Sequence, residues 1–192
     1  NYDQADSLFE QALALRTDHF GAEDPRTAST LNEIASLRFE QDDMDAAETL
    51  YRQTLNVRRA HHDGDHPDVA ASLNNLAMVL RHRGAFDEAE ALYTEALAMR
   101  ERLYDGPHPD VAHTLNHLAR LHYNRGDHEV AEPIARRALA MRIDLFGEEH
   151  VEVTASMGNL AGILGGQGRH DEQAAYYRRA LEIVRATLGD TH

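Results

Sequence analysis

The sequence repeats itself every 42 residues, and this period limits the fold more than any other feature. Leu13, Leu55, Leu97, Leu139 and Leu181 stand 42 apart, as do Gly84, Gly126 and Gly168. His66, His108, His150 and His192 keep the same period, and so do Tyr2, Met44, Phe86, His128 and His170. Four short words mark the register: TLNEIA at 30–35, SLNNLA at 72–77, TLNHLA at 114–119 and SMGNLA at 156–161. No insertion interrupts the series. A fixed period of this length is the mark of an array whose units bury their apolar faces against one another.

Each period predicts two helices. In the first, from about Pro67 to Arg83, Leu73, Leu76, Ala77 and Leu80 recur at i, i+3, i+4 and i+7. Pro67 suits a first helical turn, Asp68 complements the positive end of the helix dipole, and Gly84 stops the helix. The second, from about Phe86 to Tyr104, carries Ala89, Leu92, Tyr93, Ala96 and Leu97 on one face until Asp105-Gly106-Pro107 breaks it. Small residues at Ala77, Ala89 and Ala96 allow the paired helices a close approach. His66, His108 and His150 precede helix starts and read as turn or capping residues. Arg16, Arg58, Arg100 and Arg142 lie late in each second helix. There they complement the negative dipole end and are expected to reach Asp68, Asp110 or Glu152 in exposed, weak ion pairs.

The small residue, turn glycine and two later alanines resemble the tetratricopeptide repeat. The 42-residue period, the LNNLA and HPDVA words and the AxxLYxxAL second helix are similar to its kinesin light chain subgroup over essentially the whole chain. The tryptophan and terminal proline of the general pattern are missing. The resemblance implies an all-α, right-handed α-solenoid of stacked antiparallel helix pairs, nine helices in all. Residues 1–24 form a lone second helix, followed by repeats at 25–66, 67–108, 109–150 and 151–192. The pattern starts in mid-repeat and stops at Asp190-Thr191-His192, as in a piece of a longer array. Leu8, Phe9, Leu13 and Phe20 on the first helix then lack a preceding partner, and either self-association through that helix or a further helix in the parent protein is expected.

Composition narrows the function. Thirty-three acidic against 19 basic residues give a formal charge of −14, which disfavours nucleic acid as a partner. All 19 basic residues are arginine, so an acidic, lysine-free chain fits a bacterial source with a GC-rich genome or a salt-rich cytoplasm. Cysteine is absent, which removes thiolate chemistry and cysteine-based zinc sites. No apolar run is long enough to span a membrane and no signal peptide opens the chain, so a cytoplasmic location is expected. No phosphate-binding glycine loop, GxSxG or HExxH occurs. The expectation is a non-catalytic protein-interaction scaffold without cofactor. A structural, self-assembling array is the alternative, as is a regulatory segment attached to a signalling enzyme such as a kinase.

In the resemblance, the first helices line a concave groove. Their groove stripe would hold Ser29, Asn32, Glu33, Ser36, Phe39 and Glu40 in repeat one. In repeat two it would hold Ala71, Asn74, Asn75, Met78, Arg81 and His82. Repeat three offers His113, Asn116, His117, Arg120, Tyr123 and Asn124, and repeat four is nearly featureless through Gly158, Gly162, Gly165 and Gly166. Asn32, Asn74 and Asn116 form a column of amides, each able to pair with the main chain of an extended peptide. Met78, Arg81, His113, His117, Arg120 and Tyr123 complete the expected peptide site, the cations attracting an acidic stretch or a free C-terminus. The other reading makes the asparagines ties between neighbouring helices. His113 and His117, one turn apart, have metal-ligand spacing but lack a third ligand nearby in sequence, and no native metal site is expected. The glycines of repeat four read as drift near an array end or as a surface of close approach.

Overall fold

The computed structural model describes residues 2–189, which form nine α-helices with no strand among them. They are α1 (Tyr2–Phe20), α2 (Pro25–Glu40), α3 (Met44–His61), α4 (Pro67–His82), α5 (Phe86–Leu103), α6 (Pro109–Arg125), α7 (His128–Phe146), α8 (Val151–Gly166) and α9 (His170–Leu188). Asn1, Asp190, Thr191 and His192, the last of the periodic histidines, lie outside the described residues. Two compact units, Asn1–Met99 and Arg100–His192, divide the chain within α5.

Helix starts follow the expected chemistry. His66, His108 and His150 are N-caps whose Nδ1 accepts from the backbone N–H of Asp68, Asp110 and Glu152 at 3.1, 3.1 and 3.2 Å. Asp24 caps α2 in the same way, and Pro25, Pro67 and Pro109 each occupy a first turn. The turn between paired helices needs a left-handed residue. Gly84, Gly126 and Gly168 supply it at φ of +77°, +91° and +78°, and the first repeat forces Asp42 into the position at +63°.

Within the first unit, α2 packs on α3 and α3 on α4. Leu73, Leu76, Ala77 and Leu80 of α4 are buried with Ala89, Tyr93 and Ala96 of α5, while Leu92 and Leu97 are partly covered. In the second unit, Ala119, Ala131, Ala135, Leu139, Val153, Met157, Leu160, Leu164 and Ile183 join one core across α6 to α9. Arg52–Glu88 at 2.8 Å and Arg59–Glu95 at 2.7 Å cross between α3 and α5 in the first unit, and Arg137–Glu101 repeats the pattern in the second. Such surface pairs contribute little singly.

The arginine column differs from the sequence expectation. Arg58, Arg100 and Arg142 are buried, and each bonds main chain of the next helix, Arg58 and Arg100 a hydroxyl as well. Arg58 donates to the Asp68 carbonyl at 3.1 Å and Ser72 Oγ at 2.8 Å. Arg100 donates to the Asp110 carbonyl at 2.9 Å and Thr114 Oγ1 at 2.5 Å. Arg142 reaches the Glu152 carbonyl at 2.6 Å and its carboxylate only at 3.5 Å. Arg16, at the exposed start of the column, bonds the Arg26 carbonyl and Thr30 Oγ1. Desolvation by burial lowers the pKa of all three buried guanidiniums. The expected ion pair is made by Arg142 and Glu152, at 3.5 Å; the closer contacts are to carbonyls, because a buried guanidinium needs several fixed acceptors and the first turn of a helix presents carbonyls at the same place in every repeat.

Beside each junction an aromatic ring closes the second helix. Tyr104 stacks on His108 with centroids 3.5 Å apart, Phe146 faces His150 at 5.1 Å, and Phe20 lies under the Arg26 guanidinium at 3.5 Å. In the remaining repeat that ring is a histidine: His62 stacks on His66 at 3.4 Å with the planes 8° apart.

Two glycines of α8 are places of close approach. A Cβ on Gly166 would stand 2.8 Å from the His128 ring, and one on Gly165 would collide with the Gln173 side chain. Gly158 and Gly162 have nothing within 4 Å of where a Cβ would be.

Candidate functional site

α6 is divided lengthwise into a buried and an open face. Val111, Ala112, Leu115, Leu118, Ala119 and Leu121 are buried, while His113, Arg120 and Tyr123 are exposed and His117 is half-buried. The open residues fall at i, i+4, i+7 and i+10, one stripe along three turns. The His113 and His117 rings meet edge to face, with Nε2 atoms 3.1 Å apart. His113 is open to solvent but has protein on several sides. This partial desolvation, then the guanidiniums of Arg100 and Arg142, lowers its pKa and keeps the ring neutral. The same guanidiniums make this stretch of α6 more favourable to an anion than to a cation.

The asparagine column is placed less openly. Asn74 and Asn116 are 3% and 6% exposed, and Arg81 of the expected site is also buried. Asn32 is half-buried and its Oδ1 accepts from Asn75 Nδ2 at 3.0 Å, linking α2 to α4. Asn116 donates to Ser156 Oγ at 2.8 Å, linking α6 to α8. These bonds connect successive first helices, as the tie reading expects. The Oδ1 atoms of Asn74 and Asn116 are nonetheless buried without a hydrogen-bond partner. Met78 is half-buried on α4. Phe39 meets His82 edge to face at 4.9 Å within the first unit, and Tyr123 meets His128 at 5.2 Å within the second.

Sequence reasoning placed the arginines at the junctions between repeats but missed their hydroxyl and carbonyl acceptors. Their signal was present: a hydroxyl residue opens every repeated word, at Thr30, Ser72, Thr114 and Ser156, fourteen residues after each column arginine. It also missed Leu15, which is 72% exposed on α1 beside Leu8 at 66%, whereas Phe9, Leu13 and Phe20 are partly covered.

Comparison with known families settles what kind of array this is. Profiles of the tetratricopeptide repeat match residues 1–60, 26–102 and 68–144, and a second profile of the same description matches 153–192. The chain belongs to the tetratricopeptide repeat family. Similar solved structures include the nearly identical TPR-like repeats of a Podosopora anserina protein assigned as a kinesin light chain. It shares 22% identity with a TM-score of 0.81, over 97% of this chain and 88% of that one. BtubC (BKLC) from P. vanneervenii is 28% identical with a TM-score of 0.82, over 100% of this chain and 76% of its own. A Rap protein complexed with competence and sporulation factor is 16% identical with a TM-score of 0.72, over 83% of this chain and 43% of that one. No curated protein matches the chain in sequence. The tetratricopeptide family expected from the repeated words is thus shown, its fold is shared with the repeats of the kinesin-light-chain-like structure, and tetratricopeptide arrays are in general scaffolds for protein interaction. No described helix is long and apolar enough to cross a membrane.

Proposed function

We propose that this tetratricopeptide array is a non-catalytic scaffold that captures an extended, acidic peptide or partner segment along the first helices of its repeats. The observation that carries the reading is the open stripe of α6, where His113, His117, Arg120 and Tyr123 face outward from a helix whose opposite face is core. A guanidinium, a phenol and two imidazoles give directional donors and a flat apolar surface, but no arrangement for bond-making chemistry. The Rap complex with competence and sporulation factor supports the use of such arrays for capture. Asn32 and Asn116 serve mainly as ties in this reading, and within the first unit Asn74, Met78 and Arg81 are proposed as ligand contacts of their own helix. Fluorescence anisotropy with a panel of labelled extended peptides tests it. Acidic peptides should bind, and Arg120→Ala with Tyr123→Ala should remove the binding without lowering the melting temperature. Equal binding of acidic, neutral and basic peptides, or indifference to the double substitution, overturns it.

Leu8 and Leu15 favour a second reading, self-association through α1, because they form an exposed apolar stripe at i and i+7. Sedimentation at high concentration tests this. A dimer that dissociates in Leu8→Asp with Leu15→Asp supports it, and a monomer at all concentrations removes it.

A further inference from the structure

We propose that His62, His66 and Asp68 form a zinc site at the junction of α3 and α4. One ligand atom from each lies within 4.8 Å of the others, the only such trio of histidine, cysteine or acidic residues among those described. His62 is the C-cap of α3, His66 the N-cap of α4, and Asp68 stands in the first turn of α4, so one ion would clamp the end of one repeat to the start of the next. Two imidazoles and a carboxylate suit a borderline divalent ion such as Zn²⁺ rather than the oxygen-seeking Mg²⁺ or Ca²⁺.

Two features of His62 support the site. First, His62 stands where the equivalent junctions carry Phe20, Tyr104 and Phe146. Packing alone asks for an aromatic ring at this place, and only here is that ring also a metal ligand. Second, His62 Nε2 is buried and has no hydrogen-bond partner, so the fold leaves it a lone pair or a proton without use.

Parallel rings send their lone pairs in parallel directions, so the ion is taken up as the stack opens. His66 Nδ1 now accepts from the Asp68 backbone and stands 3.8 Å from Asp68 Oδ2, and the exposed carboxylate is free to swing. Ligand atoms on a tetrahedral zinc lie about 3.4 Å apart, so the three must close by roughly an ångström. His66 keeps its cap bond if it offers Nε2 to the ion.

Calorimetric titration of the chain with zinc chloride, paired with thermal melts in EDTA and in zinc, tests the site. His62→Phe keeps the aromatic ring that the sister repeats use, and His66→Asn keeps a capping side chain. Wild type should bind one tight equivalent and melt higher in zinc. Each substitution should weaken binding at least about tenfold, with the EDTA melt unchanged for His62→Phe. The pair His113→Gln and His117→Gln should keep the tight equivalent. Loss of that equivalent in the Gln pair, its retention in His62→Phe, or a flat wild-type titration each overturns the proposal.

Discussion

Asn116 on α6 donates its side-chain amide to Ser156 on α8 at 2.8 Å, a buried bond between residues forty apart in sequence. The tie uses one end of the amide and leaves the carbonyl end idle. Asn116→Ala should therefore cost about 1–3 kcal/mol, since it strands a buried hydroxyl as well as losing the bond. Asn74→Ala, which removes an acceptor the fold leaves unsatisfied, should cost about 1 kcal/mol less. Urea unfolding of the two variants side by side decides this, and equal losses would make the whole column structural.

Arg58 holds the Asp68 carbonyl and Ser72 Oγ from inside the protein. Arg58→Ala should destabilise the first unit by about 2–3 kcal/mol, with lost packing of the aliphatic stem adding to lost bonds. A double-mutant cycle with Ser72→Ala should show coupling of about 1 kcal/mol. Additive losses would mean that the hydroxyl contributes nothing.

Glu132 gives a pH signature to the second unit. Burial pushes its carboxyl up, but bonds from Arg169, Arg136 and Gln167 together outweigh this and hold the pKa at about 2 instead of 4.5. A carboxyl depressed on folding stabilises the fold above its unfolded pKa and loses that contribution as pH falls through the folded value. Stability should thus fall between pH 4.5 and 2, by about 1–2 kcal/mol once solvent screening of the partly exposed arginines is allowed for. Glu132→Gln should flatten that part of the profile. Unfolding free energies measured across this window would show parallel curves if the ion pairs carry no weight.

The glycines of α8 are not equivalent. Gly158→Ala and Gly162→Ala meet nothing and should each stabilise by about 0.5–1 kcal/mol through helix propensity. Gly166→Ala runs into the His128 ring and should destabilise, whereas Gly165→Ala meets only the movable end of Gln173 and should be nearly neutral. Asp42→Gly relieves the left-handed strain of the first turn and should stabilise by about 1 kcal/mol. Melting temperatures of the five variants test the ordering. A stabilised Gly166→Ala would contradict the close-approach reading.

The helices and most of their boundaries were legible because each is fixed locally, by period, cap and turn residue. Pro67 after His66 and Gly84 after Arg83 bracket α4 with no help from distant contacts. The candidate site was less legible. A stripe of Asn74, Met78 and Arg81 on paper does not reveal that two of the three are buried, because burial depends on how the next repeat leans against the helix. Gly165 likewise reads as drift until Gln173, replacing the Ala47, Ala89 and Ala131 of its sisters, is seen occupying the space that a side chain would need.

The junction arginines carry a last implication. Arg16, Arg58, Arg100 and Arg142 each bond a carbonyl ten residues ahead, and a main-chain oxygen is present whatever residue supplies it. The joint therefore ignores the spelling of the loop it crosses, and residues 21–23, 63–65, 105–107 and 147–149 have indeed diverged while the joint has not. Such a coupling makes whole periods exchangeable parts. A gene could lengthen or shorten this array by copying 42-residue blocks, and every new seam would already fit.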